Sequence, residues 1–195
     1  MIIFVLQRCI DSARFVAVGL LLCVQLTAAS AQGTAAGAST DPALPGGSSA
    51  MVAQTVWGIL GYTRWPGDPA VVQLCVAGES PHAVALQAGA ELPGGRKVQT
   101  HRIGLDTSQP LQGCHALYAG RQRAGQWQRL MSLWPEGQAL LTLSELAADC
   151  QMGGMFCLDI TPQGVSFELN LDSMARSGVR VNPRVLGLAR RKEGS

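Results

Sequence analysis

Two short apolar runs constrain the fold of this chain more than any other feature. They are VVQLCVAG (residues 71–78) and CHALYAG (residues 114–120), and neither contains Asp, Glu, Lys or Arg. Continuous apolar runs of this length are typical of strands that are buried on both faces. Sheets of such strands need helices on both sides, so the sequence predicts an α/β protein.

Helical patterns occur between the predicted strands. Apolar residues recur at helical spacing from Ala50 to Trp65, and Pro66 ends the run. A second helical face lies in AGQWQRLMSLW, before Pro135. The apolar residues of the two faces are Val52, Val56, Ile59, Leu60 and Trp65 in the first, and Trp127, Leu130, Met131 and Trp134 in the second.

Alternating segments complete the predicted sheet. MFCLDIT and VSFELNL alternate apolar and polar residues on either side of Pro162-Gln163-Gly164, which predicts a hairpin. KVQTHRIGL alternates in the same way, and QALLTLS has the composition of a strand. The predicted fold is a single-domain α/β sandwich with a mixed, partly parallel sheet flanked by helices.

The N-terminal segment has the pattern of a secretory signal peptide. Two arginines precede the apolar run FVAVGLLLCVQL, and the small residues TAASAQ follow it. We expect cleavage after Ala31, with residues 1–31 as the signal peptide and residues 32–48 as a flexible leader. Packing is predicted to start at Ser49 and to extend to residue 190, leaving residues 191–195 as a tail.

Four cysteines would remain after cleavage, and an even number in an exported chain indicates two disulfides. Cys75 and Cys114 lie in the two apolar runs, where adjacent strands would bring their Cα atoms within disulfide range. We therefore predict Cys75–Cys114 and Cys150–Cys157, although four thiols allow three pairings.

The sequence contains no catalytic or metal-binding pattern. It lacks a G-x-S-x-G motif, a C-x-x-C motif and an H-x-x-x-H motif, and its three histidines are scattered. Charged residues make up 14% of the chain, and its net charge is +2. We predict no catalytic residue, no metal, no cofactor and no nucleic-acid partner, and therefore a protein that is not an enzyme.

The order of these features resembles the YfiR family of periplasmic regulators. The matching elements, from about Ser49 to Ala189, are a helix ending in W-P, then L-C-V-A-G, G-C-H-A-L-Y, L-T-L-S-E, G-G-M-F, F-E-L-N-L and S-G-V-R-V. The resemblance implies a soluble periplasmic inhibitor that binds a YfiN-like inner-membrane diguanylate cyclase and lowers cyclic-di-GMP and biofilm formation. It also implies that a YfiB-like outer-membrane lipoprotein sequesters the inhibitor, and it is compatible with a homodimer.

The predicted partner surface lies in and after the hairpin. We expect Glu168 and Met174 to contact the partner, with Phe167 and Val179 beside them. A competing interpretation is that Met174 only caps the core. Loss of a disulfide would destabilise the folded inhibitor, so we expect it to be redox-sensitive. The alternative is that the two bridges are ordinary structural disulfides of an exported protein.

Two other functions stay open from the sequence. A periplasmic small-ligand binder would use Trp65 as a stacking surface with Arg64 or Arg184 nearby. Trp127 and Trp134 are further candidates for that surface, although helical spacing favours a core position for each tryptophan. A hydrolase without a recognisable motif is the third candidate.

Overall fold

A computed structural model of this chain describes residues 46–104, 108 and 110–189. The predicted signal peptide, residues 32–45 of the predicted leader, residue 190 and the predicted tail lie outside the described residues. Among the described helices, none has the length and hydropathy that crossing a bilayer requires.

Within the described residues, nine strands form two sheets. The large sheet has seven strands in the order β3-β4-β2-β5-β6-β7-β8, and the small one pairs β1 with β9. Strands β4, β2, β5, β6 and β7 are parallel, whereas β3 and β8 are antiparallel to their neighbours. The mixed, partly parallel sheet is thus confirmed. The strands are β1 Thr63–Arg64, β2 Val71–Ala77, β3 Ala90–Glu91, β4 Lys97–Arg102, β5 Ala116–Ala119, β6 Leu141–Ser144, β7 Phe156–Thr161, β8 Gly164–Leu169 and β9 Arg180–Val181.

The helices are short apart from the first. They are α1 Gly46–Gly61, α2 Ala83–Leu86, α3 Gln126–Ser132, α4 Ala147–Gln151, α5 Leu171–Arg176, a 3₁₀ turn at Pro183–Val185 and α6 Leu186–Ala189. Helix α1 includes residues 46–48, which the sequence had assigned to the leader. The prediction that this helix reaches Trp65 is wrong, because Thr63 and Arg64 pair with β9 instead.

The large sheet separates two apolar cores, as a sandwich requires. In β2, Leu74 and Val76 belong to the core that also contains α1 residues, whereas Cys75 and Ala77 belong to the other core. The second core contains Trp127 from α3. The period-two alternation of a strand thus divides one continuous apolar run between two cores, and the expected sandwich is confirmed.

The sheet has a topological switch point between β2 and β5. The next parallel strand after β2, which is β4, lies on one side of β2, whereas β5, β6 and β7 lie on the other side. The chains that leave β2 and β5 are tied together, because Glu79 and Arg121 exchange backbone hydrogen bonds of 2.9 and 2.7 Å. A Cβ atom on Gly120 would lie 2.5 Å from the carbonyl oxygen of Glu79, so only glycine fits this approach. The tie holds Ser80 and Arg121 at the carboxyl edge of the sheet, which is where doubly wound folds place their binding sites.

Candidate partner-binding site

The β7–β8 hairpin has one apolar face and one polar face. Leu158 stands opposite Phe167, and both pack into the core beneath α1. Cys157 stands opposite Glu168, and Asp159 stands opposite Ser166, so these four residues share the other face. Helix α1 contacts both strands of the hairpin, α6 contacts β8, and α4 contacts β7.

An open cleft of about 540 Å³ lies against this polar face. We call it the acidic cleft, because three carboxylates and one arginine line it. The carboxylates belong to Glu145, Asp159 and Glu168, and the arginine is Arg121. The remaining lining residues are His82, Leu146, Ala147, Cys157, Leu158, Ile160, Ser166 and Phe167.

Glu145 is held in place by two hydroxyl groups from different strand ends. Its Oε1 atom accepts hydrogen bonds from Ser80 Oγ and Tyr118 Oη. Tyr118 is fully buried, and burial together with the nearby negative charge of Glu145 raises the pKa of its phenol well above the usual range. The phenol therefore remains a hydrogen-bond donor at physiological pH, and the Glu145 carboxylate is oriented before any partner arrives.

The buried carboxyl group of Asp149 fixes the turn that leads into β7. Ser144 donates its hydroxyl hydrogen to Asp149, and burial raises the pKa of the Asp149 carboxyl. The backbone carbonyl of Asp149 accepts from Gly154 N at 2.7 Å. Gly153 has φ +99, in the region that favours glycine, and a Cβ on Gly154 would lie 3.0 Å from that carbonyl oxygen. The Gly-Gly pair therefore allows the backbone to pass close to the end of α4 as it enters β7.

The structure joins Cys75 to Cys114 and Cys150 to Cys157, with Cα separations of 5.8 and 6.0 Å. The first bridge lies in the second core, where both cysteines are buried. The second bridge ties α4 to β7, and Cys157 lines the acidic cleft. Cys114 was predicted to lie in a strand, but it precedes one. Its N–H donates to Leu111 O, and β5 starts two residues later.

The four predicted partner residues do not share one surface. Glu168 is exposed in the acidic cleft, whereas Phe167 points into the core on the opposite face of the hairpin. Val179 is buried in that core, and half-buried Met174 packs against it. Of the four, only Glu168 has an exposed side chain. That these residues bind a partner stays a prediction.

The three candidate ligand residues are also separated. Arg64 lines a cleft of about 250 Å³ together with Arg180, but neither Trp65 nor Arg184 lines it. Trp65 is buried and donates its indole N–H to the backbone oxygen of His115 at 2.7 Å. This placement fits the core role that helical spacing favoured for tryptophan. Arg184 is exposed on the 3₁₀ turn.

The other two candidate tryptophans donate hydrogen bonds to backbone oxygens. Trp127 is buried in the second core and donates to Met152 O at 3.1 Å. Trp134 is half-buried and donates to Gln138 O at 2.8 Å. Neither lines the acidic cleft.

Sequence reasoning missed the residues that organise the acidic cleft. Ser80 follows β2, Tyr118 lies near the end of β5, and Glu145 follows β6 directly. A usable signal was present, because the carboxyl ends of neighbouring parallel strands meet at one edge of a sheet. Among the described residues, no group of three His, Cys, Asp or Glu side chains is arranged to hold a metal ion.

Fold and site together define a disulfide-bearing α/β domain with an acidic cleft beside a strand hairpin. Residues 49–190 match the YfiR/HmsC-like family, so the chain belongs to this family, and the resemblance drawn from the sequence is confirmed. This is a regulatory family. Membership supports, at the level of the family, a periplasmic regulator of diguanylate cyclase signalling.

Proposed function

We propose that this protein binds the periplasmic region of an inner-membrane diguanylate cyclase and holds the cyclase inactive. Engagement of the regulator would lower cyclic-di-GMP and biofilm formation. The observation that carries this proposal is the family match, which spans residues 49–190 and therefore nearly all of the described domain. The exposure of Glu168 in the acidic cleft supports this cleft as the proposed partner surface.

An outer-membrane lipoprotein is the proposed antagonist. It would sequester the regulator and thereby release the cyclase. A binding surface that both partners recognise would make their binding mutually exclusive, because two proteins cannot occupy one desolvated patch at the same time. Competition between the lipoprotein and the periplasmic region of the cyclase for the purified regulator tests this part.

Redox sensitivity is proposed to arise from the two disulfides. Loop-closure entropy gives a stabilisation of about 4 kcal/mol for Cys75–Cys114 and about 2.5 kcal/mol for Cys150–Cys157. Domains of this size are stable by about 5 to 15 kcal/mol, so reduction of both bridges, which together contribute about 6.5 kcal/mol, would unfold a domain at the lower end of this range and lower the amount of folded inhibitor. Reducing conditions are therefore expected to raise cyclase activity.

Reconstitution tests the proposed inhibition directly. The cyclase, with its periplasmic region intact, is placed in detergent or nanodiscs, and cyclic-di-GMP synthesis is measured as purified regulator is added. Saturable inhibition is expected with the oxidised regulator, and weaker inhibition after reduction. Synthesis that does not change at any regulator concentration would contradict the proposal.

A small-ligand role remains the second candidate, and one observation favours it. Arg64 and Arg180 line the same small cleft with Tyr62 and Asn182, which offers two cationic groups beside an aromatic ring. Pull-down from a periplasmic extract separates the two functions. Recovery of the membrane cyclase favours the regulator, and recovery of a small molecule alone favours the binder.

A further inference from the structure

Strand β7 has one edge that no strand covers within the described part of the chain. Strand β6 pairs with β7 only through Leu143↔Phe156 and Ser144↔Cys157, and β6 ends at Ser144. Strand β7 continues to Thr161, and β8 occupies only its other side. The parallel Ser144↔Cys157 pair engages the Leu158 N–H, so the unpaired edge begins at the Leu158 C=O and runs to Thr161.

The hairpin register shows which backbone groups face that edge. Thr161 and Gly164 flank a two-residue turn, so they form a hydrogen-bonded pair, and such pairs recur at every second residue. The same alternation includes Asn170, whose N–H donates to Met155 O at 2.8 Å. Leu158 and Ile160 occupy the alternate positions, where the N–H and C=O groups point away from the partner strand.

The acidic cleft adjoins this edge, and its carboxylates outnumber its one arginine. It is lined by residues 145–147 and 158–160, the space into which β6 would continue if it were longer. Glu145, Asp159 and Glu168 face a single arginine there, whereas the whole chain has a net charge of +2. Neither salt bridge between described residues involves these three carboxylates.

We propose that an extended segment of a partner protein adds to the free edge of β7 and places a lysine or arginine in the acidic cleft. The Leu158 C=O and the Ile160 N–H and C=O would supply the backbone hydrogen bonds, as in other cases of strand addition. A segment residue opposite Asp159 would share its face of the sheet and lie beside Glu145. The carboxylates then select a basic segment over an acidic one.

This inference deepens the proposed function and rests on it in one respect, because it takes the periplasmic region of the cyclase as the source of the segment. An extended chain fits better than a compact cation. The carboxylates are distributed over the end of β6, over β7 and over β8, so one small ion would not reach all three at contact distance.

The first experiment uses synthetic peptides as probes. A peptide of alternating valine and lysine and its valine and glutamate counterpart are titrated into the ¹⁵N-labelled mature protein. We expect the lysine peptide alone to shift the amide resonances of Leu158 and Ile160. Its binding should weaken at least about tenfold between about 0.05 and about 0.5 M salt, because charge pairing at an open edge is screened.

Three variants sharpen this experiment. Ile160→Pro removes an outward N–H but no hydrogen bond of the hairpin, and Asp159→Lys reverses an exposed charge of the cleft. Each is expected to weaken binding of the lysine peptide at least about tenfold. Glu91→Lys makes a similar charge reversal on β3, at the opposite edge of the same sheet, and should bind like the parent. Asp159→Lys keeps the test valid if Ile160→Pro does not fold.

The peptide results decide the edge site. Absence of binding by the lysine peptide at millimolar concentration, equal binding of both peptides, or shifts confined to β3 or β8 would overturn the proposal. Measuring the cyclase region separately keeps the two conclusions apart. If the parent binds that region and Asp159→Lys and Ile160→Pro bind it equally well, strand addition is wrong and the proposed function stands. If the peptide binds at β7 but the parent does not bind the cyclase region, the edge site stands and its assigned source is wrong.

Discussion

Glu168 stands directly opposite Cys157 across the β7–β8 hairpin, on the face that lines the acidic cleft. The predicted partner contact and one half of the short disulfide are thus nearest cross-strand neighbours. The bridge to Cys150 ties β7 to α4 at the same point. This arrangement provides a route by which the oxidation state of the bridge can affect the position of the partner surface.

The short bridge is expected to stabilise the domain. Cys157→Ser should lower the free energy of unfolding by about 2 to 3 kcal/mol, from the closure entropy of a short loop. Urea unfolding of the oxidised proteins measures this cost. Cys75→Ser is the companion variant and should cost about 4 kcal/mol, because its loop is longer. A Cys157→Ser protein with the stability and inhibitory activity of the parent would exclude a structural role for this bridge.

Tyr118 is predicted to stabilise the fold through its hydrogen bond to Glu145. Tyr118→Phe removes the buried donor and should cost about 1 to 2 kcal/mol, because the acceptor is charged. A double-mutant cycle with Ser80→Ala separates the two hydroxyl groups that share Glu145 Oε1. Strictly additive losses would show that the two donors act independently and would contradict the cooperative anchoring of Glu145.

His115 should make the stability depend on pH. Its Nδ1 atom accepts a hydrogen bond from the Gln73 N–H at 3.0 Å, and burial lowers the pKa of the imidazole. The folded protein therefore binds fewer protons than the unfolded chain near this pKa. Stability should be fully present above the unfolded pKa of about 6.5 and should decrease as the pH falls below it.

Unfolding measurements between about pH 7.5 and about pH 5.5 check this dependence across the histidine range. His115→Gln should remove most of the slope, whereas His101→Gln, at an exposed position on β4, should retain it. An unchanged slope in His115→Gln would assign the effect to other groups.

Gly120 is expected to tolerate no side chain. A Cβ there would lie 2.5 Å from the carbonyl oxygen of Glu79 and 2.8 Å from Ser80 Cβ, so Gly120→Ala should break the tie between the chains that leave β2 and β5. We expect a large fall in the yield of folded protein and a displaced Ser80. Gly187→Ala is the matched control, since no atom lies within 4 Å of the added Cβ. Equal thermal stability of the two variants would contradict this account.

The sequence predicted the sheet well because its strands have distinct patterns. The apolar run containing Cys75 became a central strand, and Pro162-Gln163-Gly164 marked the turn before β8. The two-residue strands β1 and β9 were not predicted, because pairs such as Thr63↔Val181 join segments far apart in the chain and carry no local signal. Helix α1 was extended too far for the same reason.

The candidate site was predicted less completely than the fold. Alternation separated Glu168 from Phe167 correctly, but Val179, which was expected beside the partner contacts, is buried in the core. Glu145 was not singled out at all. Its role depends on Ser80 and Tyr118, which come from other strands, so only the strand order of the folded sheet brings the three together.

Cyclic-di-GMP in a strain that lacks this protein tests the central claim most directly. The nucleotide is measured in the parent, in the deletion strain and in the deletion strain carrying the gene on a plasmid. An inhibitor of a diguanylate cyclase predicts a rise on deletion, a return to the parental level on complementation, and no rise when the cyclase is deleted as well. A level that is unchanged or lower in the deletion strain would contradict the account.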